Sequence, residues 1–266
     1  MAKPILKWAG GKTQLLPHLR KLIPKYSGKY YEPFIGGGAL FFDHEPNSFI
    51  ISDINPELIN FYTAIRDYPE EIMLRIDELK NDRDVFYEIR NQNFHELTPI
   101  NAAVRMLYLN KTCFNGLYRV NKKGGFNVPF ANYKNPSFYS EENVLAASRQ
   151  LKNGEIKLSS FESLAEINIT QDDFVFFDPP YVPVSKYSDF KRYNKEQFNL
   201  EQHETLSNLF SELSKKGVKL ILTNSDTEIV KELYSGYQYI TVEAKRNINS
   251  DGSKRKANEL IIYSNI

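Results

Sequence analysis

The stretch KYYEPFIGGGALFF, residues 29–42, decides the architecture of this chain. Residues 29–34 are rich in aromatic residues suited to a short strand, Gly36, Gly37 and Gly38 allow a tight turn, and the apolar run 39–42 opens a helix. The same order repeats immediately afterwards. Residues 49–52 read as a second strand ending in Asp53, and Asn55 and Pro56 supply an N-cap and a first helical residue for the run to Ile65. Two successive strand–helix units predict a nucleotide-binding half-sheet.

Outward from this core, residues 69–151 carry a mainly helical pattern, with 101–111 as one helix and a polar, glycine-containing interruption at 115–136. No strand of a parallel sheet is predicted there. Alternation resumes with strands at 155–158, 173–177, 218–223 and 237–243, helices at 200–216 and 227–234, and a last strand at 259–263. The simplest topology is α/β: a doubly wound, mostly parallel sheet with a mainly helical module inserted after the second strand. The expected division is residues 1–56 and 152–266 for the sheet domain and 57–151 for the insert.

A chain of 266 residues with 41% hydrophobic and 25% charged residues has the composition of a folded globular protein, not of a disordered one. The single cysteine, Cys113, excludes an intrachain disulfide and a thiolate metal cluster, and fits a reducing cytoplasm. The first eight residues lack the apolar core of a signal peptide, and no stretch approaches the ~18 apolar residues of a membrane span. The expectation is a soluble cytoplasmic protein with no membrane partner.

Net charge is only +1, yet the positive charge is segregated. Residues 101–140 contain no acidic side chain, while Arg105, Lys111, Arg119, Lys122, Lys123 and Lys134 are basic. A second cluster, Lys245, Arg246, Lys254, Arg255 and Lys256, has only Asp251 among it. Either cluster alone reads as a solvated loop; two beside the motifs below point to a polyanionic partner.

The sharpest motif is Asp178-Pro179-Pro180-Tyr181, directly after the apolar run 174–177. Four specified residues recur by chance in roughly one chain of this length in several hundred, so the signal is specific. Its chemistry suits an amine whose lone pair is delocalised into an aromatic ring. A carboxylate (Asp178) and a backbone carbonyl (Pro179) accept the two N–H bonds, pull the nitrogen toward tetrahedral geometry and free the lone pair. Consecutive prolines hold that carbonyl in direction, and Tyr181 offers a face on which an extruded base can stack.

Two further motifs are weaker. The run Gly36, Gly37, Gly38 lets a ligand approach the backbone, but Phe41 stands where the dinucleotide fingerprint needs its last glycine. Asp53, ending the next strand, strengthens it as an acceptor for ribose hydroxyls. The segment KWAGGKT, residues 7–13, looks like a phosphate loop, but Leu6 occupies the position of that loop's first glycine. Two readings remain: a turn with Lys12 exposed, or a lid whose Trp8 and Lys12 reach a cofactor.

In order and spacing these motifs resemble the Dam family of DNA adenine methyltransferases, whose members pair KWAGGK and EPFxGGG near the start with a later DPPY. The resemblance extends through residues 52–55, 115–119, 126–130 and 246–260, so it covers nearly the whole chain. It implies a Rossmann-like methyltransferase fold with an inserted target-recognition domain. It further implies transfer of a methyl group from S-adenosyl-L-methionine to N6 of a flipped adenine in double-stranded DNA, with GATC as the site and no metal.

Residue by residue, the resemblance puts Trp8, Lys12, Gly36, Gly38, Asp53, Phe161 and Asp178 at the cofactor, and Asp178, Pro179, Pro180 and Tyr181 at the reacting amine. Arg119 would read a guanine edge, Phe114 would be an aromatic wedge, and Asn115 and Pro129 would line the bases. Lys7, Leu117 and Asn121, with Arg246, Lys254 and Arg255 in the tail, complete the implied DNA contacts. Phe114 stands where some relatives have tyrosine. An acid-Pro-Pro-Tyr site also suits cytosine N4 or an RNA amine, and a phosphate-loop ATPase or a DNA-binding module without catalysis would be the readings from other classes.

Overall fold

The computed structural model describes residues 2–121, 123–183, 198–245 and 256–266. Its centre is a seven-stranded sheet: β1 (Tyr30–Glu32), β2 (Phe49–Asp53), β3 (Gly154–Leu158), β4 (Phe174–Phe177), β5 (Lys219–Ser225), β6 (Gln238–Lys245) and β7 (Lys256–Ser264), in the spatial order β3-β2-β1-β4-β5-β7-β6. β1 pairs in parallel with β2 and β4, and β4 with β5; β7 runs antiparallel to both β5 and β6. The sheet is therefore mixed and mostly parallel, the fold class expected from the sequence. Every strand expected from the sequence forms, with bounds shifted by three residues or fewer.

The helices are α1 (Leu16–Leu22), α2 (Ala39–His44), α3 (Pro56–Asp67), α4 (Pro69–Asp77), α5 (Arg83–Asn91), α6 (Pro99–Thr112), α7 (Glu141–Leu151), α8 (Leu200–Lys215) and α9 (Glu228–Leu233). Local chemistry sets their starts. Asn55 caps α3, its side chain accepting the N–H groups of Glu57 and Leu58 at 3.0 and 3.2 Å, and Pro56 follows as the first helical residue. Asn199 and Gln202 form a reciprocal capping box on α8.

By compactness the chain divides into two units. One comprises residues 1–11, 36–47 and 53–158, and the other residues 12–35, 48–52 and 159–266. In the first, α3 to α7 pack through a core that includes Leu58, Phe61, Ile65, Phe86, Leu107, Tyr108 and Leu151. Between α6 and α7 the backbone is irregular, with isolated bridges joining Cys113 to Phe130 and Val120 to Phe126. In the second, α8 and α9 pack with the strands through Val175, Phe177, Leu206, Phe210, Leu220, Leu222 and Val230. β4 is buried along its whole length, as a central parallel strand must be.

The order of strands reverses between β1 and β4. In open α/β sheets ligands bind beyond the carboxyl ends of the strands at such a reversal. Here those ends carry Pro33 and Phe34 after β1 and Asp178 to Tyr181 after β4.

Candidate active site and DNA-facing segment

In the second unit, the end of β4 delivers Asp178 into a ring of polar partners. Lys12 Nζ lies 2.7 Å from Asp178 Oδ1, and the Thr223 hydroxyl donates to the same oxygen at 2.6 Å. The side chains of this ion pair are 7% and 17% exposed. The reading of Lys12 as an exposed turn residue is thereby overturned: a buried ammonium needs a counter-charge, and Asp178 supplies it. Among the described residues no side chain donates to Asp178 Oδ2.

Burial raises the Asp178 pKa, and the charge and hydrogen bond of Lys12 together with the Thr223 hydrogen bond oppose that shift. Lys12 Nζ also stands 4.5 Å from the centroid of the Tyr181 ring, a cation–π contact that occupies one side of that ring. The Tyr181 hydroxyl donates to Glu259 at 3.0 Å. Burial is the main reason its phenol is raised well above the ordinary range, so it stays protonated.

Polar residues at the end of β5 hold the loop that follows. Asn224 Oδ1 accepts the Val182 N–H at 3.0 Å, and the Ser225 hydroxyl donates to the Val182 carbonyl at 2.6 Å. Thr223, Asn224 and Ser225 are fully buried, unusual for three consecutive polar residues. None was singled out from sequence; three polar residues ending an apolar strand were the available signal. Pro179 is buried and Pro180 exposed. Phe161 is buried and stacks on Phe34, centroids 5.5 Å apart, and Phe198 closes the triangle at 5.6 Å from each.

In the first unit, the glycine turn is shaped by Trp8. Gly36 and Gly38 have φ of 46° and 68°, and a Cβ on Gly36 or Gly37 would come within 2.9 Å of Trp8. The close neighbour that these two glycines admit is thus the chain's own indole. Asp53 is half-buried, with Oδ2 accepting the Gly36 N–H at 3.2 Å and Oδ1 accepting the Asn55 N–H at 3.0 Å. With the Ile54 N–H also directed at it, the carboxylate keeps acceptor capacity for one hydroxyl donor. Burial raises the Asp53 pKa, against backbone hydrogen bonds from Asn55, Gly36 and Ile54. Ile54, not anticipated from sequence, is 72% exposed beside it.

The same unit carries the residues that the resemblance assigned to DNA. Asn110, buried on α6, accepts the Lys7 N–H and donates to the carbonyls of Lys7 and Gly116, so the start of the KWAGGK segment is clasped to the segment after α6. The Lys7 ammonium lies over the Tyr133 ring. Phe114 is 53% exposed, Asn115 holds a left-handed φ of 56°, and Leu117 is half-buried. Arg119 is exposed and donates to the Asn127 side chain at 2.6 Å and to the Asn127 carbonyl at 3.1 Å. Asn121 organises the next turn by accepting the N–H groups of Lys123 and Gly125, and the exposed Pro129 accepts the Phe114 N–H.

The acid-free stretch is less uniformly available than its composition suggests. Arg105 is buried in an ion pair with Glu57 at 2.7 Å, so it leaves the set of free cations. Lys111 donates to the Ile5 carbonyl, and burial with the nearby Lys7 charge lowers its pKa to about 8. Lys122, Arg246, Lys254 and Arg255 lie outside the described residues, as do the side chains of Lys245 and Lys256. Among the described residues there is no cluster of three or more metal-ligating side chains, and no helix is long and apolar enough to cross a membrane.

A carboxylate beside a proline pair at the sheet reversal in one unit, and an exposed aromatic and an exposed arginine in a basic segment of the other, are the residues the sequence led one to expect of an enzyme acting on a nucleobase. The comparisons agree. The sequence profile of the D12 class of N6 adenine-specific DNA methyltransferases matches residues 8–248, and the chain belongs to this family. It is 39% identical to Type II methyltransferase M1.LlaDCHI of Lactococcus lactis subsp. cremoris, covering 98% of this chain and 94% of that one. It is 39% identical to Type II methyltransferase M.MjaIII of Methanocaldococcus jannaschii, covering 96% and 95%. To DNA adenine methylase of Escherichia coli (strain K12) it is 33% identical, covering 96% and 92%.

Proposed function

We propose that the chain transfers a methyl group from S-adenosyl-L-methionine to the N6 amine of an adenine flipped out of double-stranded DNA at GATC sites. The observation that carries the reading is the Asp178 carboxylate, with Oδ1 held by Lys12 and Thr223 and Oδ2 available. Oδ2 and the Pro179 carbonyl accept the two N6–H bonds, which localises the nitrogen lone pair. Tyr181, with Lys12 over one side of its ring, offers the other to the flipped base.

The residues present fit a sulfonium nucleoside. Asp53 has acceptor capacity left for a ribose hydroxyl, Trp8 and the Gly36–Gly38 turn form an aromatic-on-backbone surface, and Phe161 belongs to a cluster of three aromatic rings. When bound, S-adenosyl-L-methionine supplies an electrophilic methyl carbon and its own leaving group. The chain's own residues would hold the amine through Asp178 Oδ2 and the Pro179 carbonyl, direct its lone pair toward that carbon and exclude water.

On the DNA side, Arg119 reads a guanine edge, Phe114 fills the space left by the flipped base, and Lys7, Asn115, Leu117, Asn121 and Pro129 border the duplex. Arg246, Lys254 and Arg255 add backbone contacts. Exposure of Phe114 and Arg119 supports these roles. The test is incubation of the purified chain with labelled S-adenosyl-L-methionine and duplexes carrying GATC or single-base variants of it, followed by nucleoside analysis. Label in N6-methyladenine, confined to the GATC duplex, is expected. Label in cytosine or in RNA, or equal label in all duplexes, would overturn the reading.

A further inference from the structure

One tyrosine in the acid-free stretch touches both sets of residues in the first unit. Tyr118 lies between Leu117 and Arg119, and its ring stacks on Trp8 with centroids 5.3 Å apart and planes at 21°. Its hydroxyl donates to Glu57 Oε1 at 3.1 Å, and the Asn55 side chain reaches the same hydroxyl. The other Glu57 oxygen is held by Arg105 in the buried ion pair. Asn55 is itself bonded through its N–H to Asp53, and Trp8 rests on Gly36 and Gly37.

We propose that Tyr118 is a positioning residue that ties the base-reading segment 117–119 to Trp8 and to the turn 53–57, so that a duplex held by the segment is registered at those residues. The inference rests on the roles given above to Trp8, Asp53 and Arg119. Its physical basis is packing. A ring fixed by a stack on one side and by a hydrogen bond to a doubly held carboxylate cannot shift with its own backbone and leave the indole where it was. Coupling of this kind is reciprocal: if DNA on the segment alters affinity at Trp8 and Asp53, a ligand there alters affinity for DNA by the same factor. A tyrosine that merely filled the core would affect stability and nothing else.

Trp8 is the chain's single tryptophan, so its emission reports on this contact without ambiguity. Adding a GATC duplex to the cofactor-free protein is expected to shift Trp8 emission. The affinity for S-adenosylhomocysteine is expected to differ about fivefold or more between duplex-bound and free protein. Tyr118→Leu, which removes the ring, should bind the duplex by anisotropy and melt cooperatively, yet lose the emission response and bind S-adenosylhomocysteine equally with and without DNA. Tyr118→Phe keeps the stack and loses the hydroxyl, so it should retain the emission response with a smaller affinity ratio.

An emission response and an affinity ratio unchanged in Tyr118→Leu would overturn the proposal, as would a wild-type emission indifferent to the duplex. If Tyr118→Leu does not fold, an unchanged ratio in Tyr118→Phe overturns it. Trp8→Phe with unaltered affinity for S-adenosylhomocysteine would instead count against the role given to Trp8, while the emission comparison between wild type and the Tyr118 variants still decides the tie.

Discussion

Replacing Asp178 by asparagine isolates the oxygen that faces the amine. Lys12 and Thr223 both bond to Oδ1, and an asparagine carbonyl in that position can accept from both. The negative charge facing Lys12 is lost, and the change in hydrogen-bond character falls on the other atom: an acceptor oxygen becomes an NH2 group, which meets a donor amine with a donor. Losing one preorganised acceptor from a water-poor site costs about 3 kcal/mol in the transition state, so transfer should fall about 150-fold. Asp178→Ala is the poorer test, because it also takes away the Oδ1 acceptor that Lys12 and Thr223 share. The assay is single-turnover transfer of labelled methyl at saturating S-adenosyl-L-methionine, with duplex affinity measured in parallel by anisotropy. Affinity should hold, since phosphate contacts dominate it. A near wild-type single-turnover rate in Asp178→Asn would refute the role assigned to the carboxylate.

Thr223→Val should slow the same step about tenfold or more, by removing a hydrogen bond to the charged carboxylate; an unchanged rate at saturating cofactor would show that Lys12 alone orients Asp178. Asp53→Asn should weaken binding of S-adenosyl-L-methionine by about 1.5–3 kcal/mol while changing DNA affinity less, and calorimetry that finds the same dissociation constant would remove Asp53 from the cofactor. Arg119→Ala should relax discrimination against a wrong base by about 1–3 kcal/mol, whereas Lys123→Ala should weaken all duplexes alike and reduce the salt slope; equal losses on matched and mismatched duplexes would make Arg119 a phosphate contact. His203 is fully buried, its two ring nitrogens have no hydrogen-bond partner among the described residues, and burial lowers its pKa to about 4. Because the charged form is penalised in the folded state, its contribution is intact above pH 6.5 and is lost as pH falls toward 4, by about 3 kcal/mol at most. His203→Leu should flatten that part of the stability profile in urea titrations, and an identical slope in both proteins would rule the histidine out.

Much of the fold was legible because its signals are local. The βα units at 29–42 and 49–65 are written in side-chain periodicity and in caps that act over three residues, such as Asn55 on Glu57 and Leu58. The run 174–177 is apolar without alternation because both of its faces are covered, and that pattern too survives in one dimension. The Asp178 motif stood out for a different reason: proline, proline and tyrosine follow it in sequence, so the carboxylate and the turn that carries it are contiguous. The roles given to Trp8, Lys12, Asp53 and Phe161 came through resemblance more than through local physics. The GG turn that suggested ligand approach is packed by Trp8, a neighbour 28 residues away.

What the sequence by itself determined is the order of elements, the mostly parallel α/β class, the place of the Asp178 motif at the end of its strand and the segregation of basic charge. What only the tertiary structure decided is which partners those groups meet. Lys12, open between an exposed turn and a lid reaching a cofactor, is buried in an ion pair with Asp178, whose Oδ1 also accepts from Thr223 of β5. Arg105, counted among the basic residues, is withdrawn by Glu57, while Arg119 in the same stretch stays exposed. The physical reason is common to these cases. The state of a charge depends on burial and on counter-charges contributed from distant parts of the chain, and neither appears in composition or spacing until the backbone has brought those parts within a few ångströms of each other.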